Sequence, residues 1–229
     1  MQFTFAPPPQ PSVAIVGSDV RFPVRRIFCV GRNYADHVRE MGNDPKSEPP
    51  LFFTKPADAV VESGATIAYP SNTSNFHHEV ELVIAIGAGG SNIAEADAIN
   101  HIWGFGVGVD LTRRDRQAEA KKAGTPWDTA KGFDHSAPIS ALTPVAASGD
   151  ASNARIWIKV NGETRQDANT HEMIWSVPEI VAALSQWWDL RPGDLIFTGS
   201  PSGVSALNRG DAIECGVDGL APLRFSIAP

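Results

Sequence analysis

A chain of 229 residues, 42% hydrophobic and 20% charged, can bury the core of one large domain. Its net charge of −7 argues against binding nucleic acid through phosphates. It holds neither an apolar run of the ~18 residues a membrane helix needs nor a basic-then-apolar leader. Cys29 and Cys215 form no motif and fit a reducing cytoplasm, the compartment expected here. Eighteen prolines and twenty glycines, spread along the chain, point to many turns and short strands.

Residues 2–5 read as an edge strand before the extended, proline-rich stretch 7–11. Short strands are expected over 13–16 and 26–30. Gly31 breaks the second, and 33–41 reads as a helix capped by Asn33, with His37 and Glu40 on one face. Gly42 ends that helix, and 43–50 is a polar loop of the kind that closes over a site. Residues 51–56 form a strand with Lys55 at its end, and 58–69 a hairpin or meander. A polar loop over 71–75 feeds the strand from Glu79 to Ile84, rich in branched apolar residues. A short helix over 93–99 precedes a glycine-spaced strand over 102–109 that ends in Asp110.

Residues 111–123 read as a helix closed by Gly124, its many charges a solvated face, and 127–133 as a loop holding Lys131. Residues 156–160, Asn161-Gly162 and the stretch after it form a hairpin with the dipeptide a type I′ turn prefers. Ser176-Val177-Pro178-Glu179 is a capping box, and Ile180, Val181, Leu184, Trp187 and Trp188 form the apolar stripe of the helix behind it. Arg191-Pro192-Gly193-Asp194 signals a type II turn into 195–199. Strands over 212–216 and 222–227 pair across Asp218-Gly219. The expected fold is a single, mostly β domain of mixed α+β type.

Glu79 and Glu81 point the same way from a strand, roughly 6.5–7 Å apart along its axis. Two such carboxylates repel unless a positive charge lies between them, and Asp110 supplies a third oxygen. The bland alternative is a solvated carboxylate pair on a strand face. Three oxygen donors suit Mg²⁺, Mn²⁺ or Ca²⁺ better than zinc, while His77 and His78 leave a site for a softer metal open. A metal held so would chelate adjacent oxygens, as in an α-keto acid. His37 with Glu40 offers a base and its orienting carboxylate, against the commoner fate of a structural histidine. Lys131 could neutralise an oxyanion, against the commoner fate of a surface lysine. Two other motifs fail. Gly104, Gly106 and Gly108 run within a strand, without the strand-turn-helix a dinucleotide site needs. In Gly199-Ser200-Pro201-Ser202-Gly203 proline takes the place of an elbow nucleophile. Cys29 reads as a small apolar core residue.

Six blocks in order carry a resemblance. They are Cys29-Val30-Gly31-Arg32-Asn33-Tyr34-Ala35-Asp36-His37, Phe53-Thr54-Lys55-Pro56, His78-Glu79-Val80-Glu81-Leu82, Gly108-Val109-Asp110-Leu111-Thr112 with Arg114-Asp115 and Gln117, Ala130-Lys131-Gly132-Phe133-Asp134, and Thr198-Gly199-Ser200-Pro201. The chain resembles the fumarylacetoacetate hydrolase family, and within it the small acylpyruvate and fumarylpyruvate hydrolases. The resemblance implies that family's C-terminal-domain-like β-roll with short flanking helices, usually a homodimer. It implies an N-terminal extension with edge strands over 1–25 and a catalytic domain over 26–229. It implies Mg²⁺ or Mn²⁺ on Glu79, Glu81 and Asp110, water activation by His37 and Glu40, and charge stabilisation by Lys131. Arg32, Lys55, Arg114, Gln117 and Thr198 align with pocket positions of relatives. The activity it implies is hydrolytic carbon–carbon cleavage of a β-diketo acid, with 3-fumarylpyruvate of gentisate-type aromatic catabolism as substrate. Simple acylpyruvate hydrolysis or oxaloacetate decarboxylation is the alternative.

Overall fold

A computed structural model describes residues 2–34 and 48–229. Its centre is a mixed sheet in the order Leu51–Lys55, Arg26–Gly31, Asp194–Phe197, Val80–Ile86, Ile102–Val109, Ala137–Ile139 and Val60–Glu62. A second sheet runs Glu163–Asn169, Arg155–Val160, Ala212–Val217, Leu223–Ile227 and Thr66–Ile67. Among the described residues the only helices are short, so this is a mostly β fold with short flanking helices, as expected.

The Val80–Ile86 strand explains the arrangement. All seven of its residues are buried, because it lies mid-sheet and both faces are covered. Leu82, Ile84 and Ile86 face the larger core with Phe105, Val107 and Ile158, while Val83 and Ala85 face a smaller one with Cys29, Leu195 and Phe197. Strand alternation therefore sends Glu81 to the side of the smaller core, at its open end. The neighbouring Ile102–Val109 strand must carry glycines. A Cβ on Gly104 would lie 2.3 Å from the Thr143 carbonyl oxygen, and one on Gly108 2.5 Å from the Phe197 ring.

Several expectations hold. Asn161 and Gly162 both have positive φ (52° and 83°) between antiparallel strands, as type I′ requires. The Ser176 capping box opens the Val177–Ser185 helix, and Gly193 (φ 95°) takes the type II position. Gly124 ends the Arg114–Ala123 helix in the left-handed conformation.

Others need correction. Residues 2–5 form no strand; the first are Ser12–Ile15 and Ser18–Pro23, paired antiparallel around Gly17. The second was hidden because only Phe22 of its residues is buried. Residues 58–69 are not a hairpin: Val60–Glu62 and Thr66–Ile67 join different sheets, each parallel to a distant strand. The helix over 93–99 is instead a 3-10 helix at Glu95–His101. The Trp127–Phe133 loop contains a helical turn, Asp128–Lys131. Trp187 and Trp188 lie past the end of their helix, and Trp187 is 75% exposed rather than part of the buried stripe. The helix expected over 33–41 falls, beyond Tyr34, outside the described residues.

Candidate active site

Glu79 sits one residue before the Val80–Ile86 strand and Asp110 one residue after its partner, Ile102–Val109. The antiparallel register places Val80 opposite Val109, so the three acids meet at one end of the ladder. One carboxylate oxygen from each of Glu79, Glu81 and Asp110 lies within 4.8 Å of the others. Around them is a ring of cations. Lys131 Nζ donates to Glu79 Oε2 (2.8 Å), Asp110 Oδ2 (2.5 Å) and Thr112 Oγ1 (2.7 Å). Lys55 Nζ lies 2.7 Å from Asp110 Oδ1 and donates to the carbonyls of Leu111 and Lys131. Arg114 pairs with Glu79 Oε1 and donates to Gln117 Oε1 (2.6 Å). The Gly199 amide donates to Glu81 Oε2 (2.8 Å).

These contacts set the charges. Burial raises the Glu79 carboxyl, but Lys131 and Arg114 outweigh it and hold the group at about 2. Burial, followed by the Asp110 and Glu79 charges, pushes Glu81 well above the usual carboxylate range. Burial also opposes the Lys131 ammonium, yet Asp110 and Glu79 keep it protonated beyond the ordinary lysine value.

The donor set fits a hard divalent cation: three carboxylates, all oxygen. Asp110 Oδ1 is buried and has no hydrogen-bond partner, since the nearby Lys55 ammonium is out of line for one. An oxygen that is ion-paired but not hydrogen-bonded is the kind a divalent cation can take. The softer-metal alternative gains nothing from the histidines. His78 spends both ring nitrogens on Gln166 Oε1 (3.0 Å) and Ser205 Oγ (2.8 Å), and His77 Nε2 is bonded to Asn75 Oδ1 (2.7 Å).

The three acids floor a cavity also walled by Arg32, Tyr34, Phe53, Arg114, Gln117, Lys121, Trp127, Lys131 and Ser200. Of the residues anticipated from sequence, Arg32, Arg114, Gln117 and Lys131 line it directly. Lys55 and Thr198 stand behind the wall: Lys55 beside Asp110, and Thr198 Oγ1 donating to the Leu82 carbonyl (2.9 Å). His37 and Glu40 lie outside the described residues. Lys131 is not the loop surface residue its type suggests but is 2% exposed. Asn33 is likewise no simple helix cap. Its side chain accepts from the Trp175 amide (2.7 Å) and donates to the carbonyls of Trp175 and Thr198, tying the Arg32 segment to the Thr198–Gly199 turn.

Sequence reasoning passed over Tyr34, Trp127, Ser200 and Lys121. Lys121 carried a signal: Arg114, Gln117 and Lys121 are spaced i, i+3, i+7 and so share one helix face. Tyr34 carried a weaker one, lying inside a motif block, and its hydroxyl is buried with no partner among the described residues.

Residues 26–228 match the family model described as fumarylacetoacetate (FAA) hydrolase C-terminal. Among solved structures the chain is similar to a fumarylpyruvate hydrolase from Pseudomonas aeruginosa in complex with Mn²⁺ and pyruvate. The two share 50% identity with a TM-score of 0.96, over 99% of each chain. It is 45% identical over 203 residues to the mitochondrial oxaloacetate tautomerase FAHD1 of Rattus norvegicus, covering 89% of this chain and 91% of that one. It is 42% identical over 204 residues to the oxaloacetate tautomerase YcgM of Escherichia coli, covering 89% and 93%. Among the described residues no helix is long and apolar enough to cross a membrane.

Proposed function

The chain belongs to the fumarylacetoacetate hydrolase family, and on that premise we propose that it hydrolyses the carbon–carbon bond of a β-diketo acid, 3-fumarylpyruvate, to fumarate and pyruvate. The observation that carries the reading is the cluster of Glu79, Glu81 and Asp110, the last two buried, with the Asp110 oxygens ion-paired to Lys55 and Lys131. The 50% identity over the whole chain to a fumarylpyruvate hydrolase that binds Mn²⁺ and pyruvate supports the choice of substrate.

In this reading Glu79, Glu81 and Asp110 hold Mg²⁺ or Mn²⁺. That ion supplies Lewis-acid polarisation of the substrate oxygens. Lys55 and Arg114 pair with Asp110 and Glu79 and orient those carboxylates. Arg32 and Gln117 line the space where the pyruvyl end and its acyl group lie. His37, steered by Glu40, takes a proton from water as the water oxygen bonds to the distal carbonyl carbon. The carbon–carbon bond then breaks, leaving its electron pair on the pyruvyl fragment as an enolate, which a proton from His37 quenches. Lys131 Nζ, a full ammonium at the floor of the cavity, faces the negative charge that builds in this step. Thr198, through Leu82, and the Gly199 amide on Glu81 fix the turn that shapes the opposite wall. A cytoplasmic homodimer, with an N-terminal extension over 1–25 beside a catalytic domain over 26–229, completes the proposal.

The test is loss of the β-diketo absorbance of fumarylpyruvate with and without Mn²⁺, for wild type and His37→Ala. Metal-dependent loss with pyruvate appearing in step, absent in the variant, is the expected result. A second reading, oxaloacetate tautomerisation, is favoured by the identity to the two tautomerases. Inertness toward fumarylpyruvate with rapid interconversion of enol and keto oxaloacetate would replace the first reading by the second.

A further inference from the structure

The cavity has a second charged feature in its lining. Arg32 and Lys121 both line it, from different parts of the fold: Arg32 from the turn after Arg26–Gly31, Lys121 from the last turn of Arg114–Ala123. Neither has a carboxylate partner among the described residues, although the protein carries a net charge of −7 and most other arginines near the site are paired. Two unpaired like charges on one wall repel each other and leave a place where an anion is stabilised.

Both residues are exposed, but the Arg32 backbone is held in place and the Lys121 side chain lies against a neighbour. Arg32 is a non-glycine residue in the left-handed region (φ 58°), a conformation that persists only when its surroundings impose it. The surroundings that impose it are at hand. The next residue, Asn33, is pinned by its three hydrogen bonds, and Gly199 packs so tightly on it that an added Cβ would lie 2.7 Å from the Asn33 Cβ. Lys121 Nζ lies over the Trp127 ring, 5.2 Å from its centroid, and feels the positive charges of Arg32 and Arg114. Ser200, which also lines the cavity, accepts from Gln166 (2.8 Å), which leaves its own hydroxyl proton free to donate.

We propose that Lys121 and Arg32, with the Ser200 hydroxyl, bind a second carboxylate at the far end of the substrate, so that the site selects keto acids carrying two carboxylates over acylpyruvates carrying one. The inference deepens the proposed function and rests on it for the placing of the pyruvyl end at the acidic floor. Arg32 stands at an anticipated pocket position; Lys121 stands at none, which makes it the residue to test.

The experiment compares Lys121→Met and Lys121→Arg with wild type, all loaded with Mn²⁺, reading kcat/KM for fumarylpyruvate and for acetylpyruvate. Loss of one charge-assisted contact predicts that the ratio of the two falls by about tenfold to a hundredfold in Lys121→Met, with most of it restored in Lys121→Arg. A ratio within twofold of wild type in Lys121→Met overturns the proposal. Titration calorimetry with fumarate and with crotonate, its one-carboxylate analogue, reads the subsite without turnover. If wild type turns over neither keto acid, the hydrolase reading fails while this test still decides. A fumarate preference that Lys121→Met abolishes supports the subsite, and equal binding of the two acids refutes it.

Discussion

Replacing Lys131 by methionine keeps the length of the stem and removes the charge that three side chains share. Lys131 Nζ is bonded to Glu79, Asp110 and Thr112, and the residue is 2% exposed. Taking one partner from a buried ion pair costs about 3–5 kcal/mol, because the charge left behind is uncompensated. Here Arg114 still faces Glu79 and Lys55 still faces Asp110, so the lower end applies. For a chain of this length about 3 kcal/mol is worth about 6–12 °C in Tm. Calorimetry of metal-free Lys131→Met should show that loss, and Mn²⁺ should raise Tm more in the variant than in wild type, since the cation replaces the missing charge. Turnover should fall by about 10²–10³, the usual effect of deleting one group that stabilises developing negative charge. A metal-free Tm within about 2 °C of wild type, or an equal Mn²⁺ effect in both proteins, would refute the electrostatic account.

Gly104→Ala, whose Cβ would lie 2.3 Å from a backbone oxygen, should destabilise by about 3 kcal/mol in denaturant melts. Gly124→Ala, strained only by its φ of 65°, should lose about 1 kcal/mol; equal losses would contradict the packing argument. Asn33→Ala removes three side-chain hydrogen bonds, from the Trp175 amide and to the Trp175 and Thr198 carbonyls, and should lose about 3 kcal/mol; a loss under about 1 kcal/mol would contradict that tie. Burial and then Arg114 hold His77 at about 4, below its ordinary 6.5, so the unfolded chain takes up the proton first on acidification. This group's contribution is therefore intact above about 6.5 and is lost as pH falls toward 4. Tm should decline more gently across that window in His77→Gln; an identical decline would show that His77 has no part in it.

The acidic cluster was legible because Glu79 and Glu81 interrupt an otherwise apolar strand at its end, where a carboxylate has no reason to sit without compensation. Asp110 was legible for the same reason, at the close of a glycine-spaced strand. The Ser176 helix and the Asn161-Gly162 hairpin were legible from local signals alone. What escaped was decided by distant partners. Residues 60–62 and 66–67 look like neighbours in a hairpin, yet each pairs with a strand far along the chain, which no local pattern encodes. The burial of Lys131 escaped likewise, because a lysine is drawn inside only by the carboxylates waiting there. Lys121 was missed because a charged helix face looks solvated until something is known to lie across from it.

The parallel pairing of Asp194–Phe197 with Arg26–Gly31 has a bearing on how the protein is made. All three acids of the cluster have been synthesised once residue 110 is added, long before residue 199. The amide that holds Glu81 belongs to Gly199, and the strand leading to it must dock between two strands made much earlier. Closing so long a loop is slow, on the order of milliseconds to seconds for β-rich topologies. A cation arriving early would meet floppy carboxylates; one arriving late meets a finished cage. Metal uptake should then follow assembly rather than guide it. In stopped-flow refolding, Mn²⁺ should leave the folding rate unchanged and slow only unfolding; a faster folding limb would show the order to be reversed.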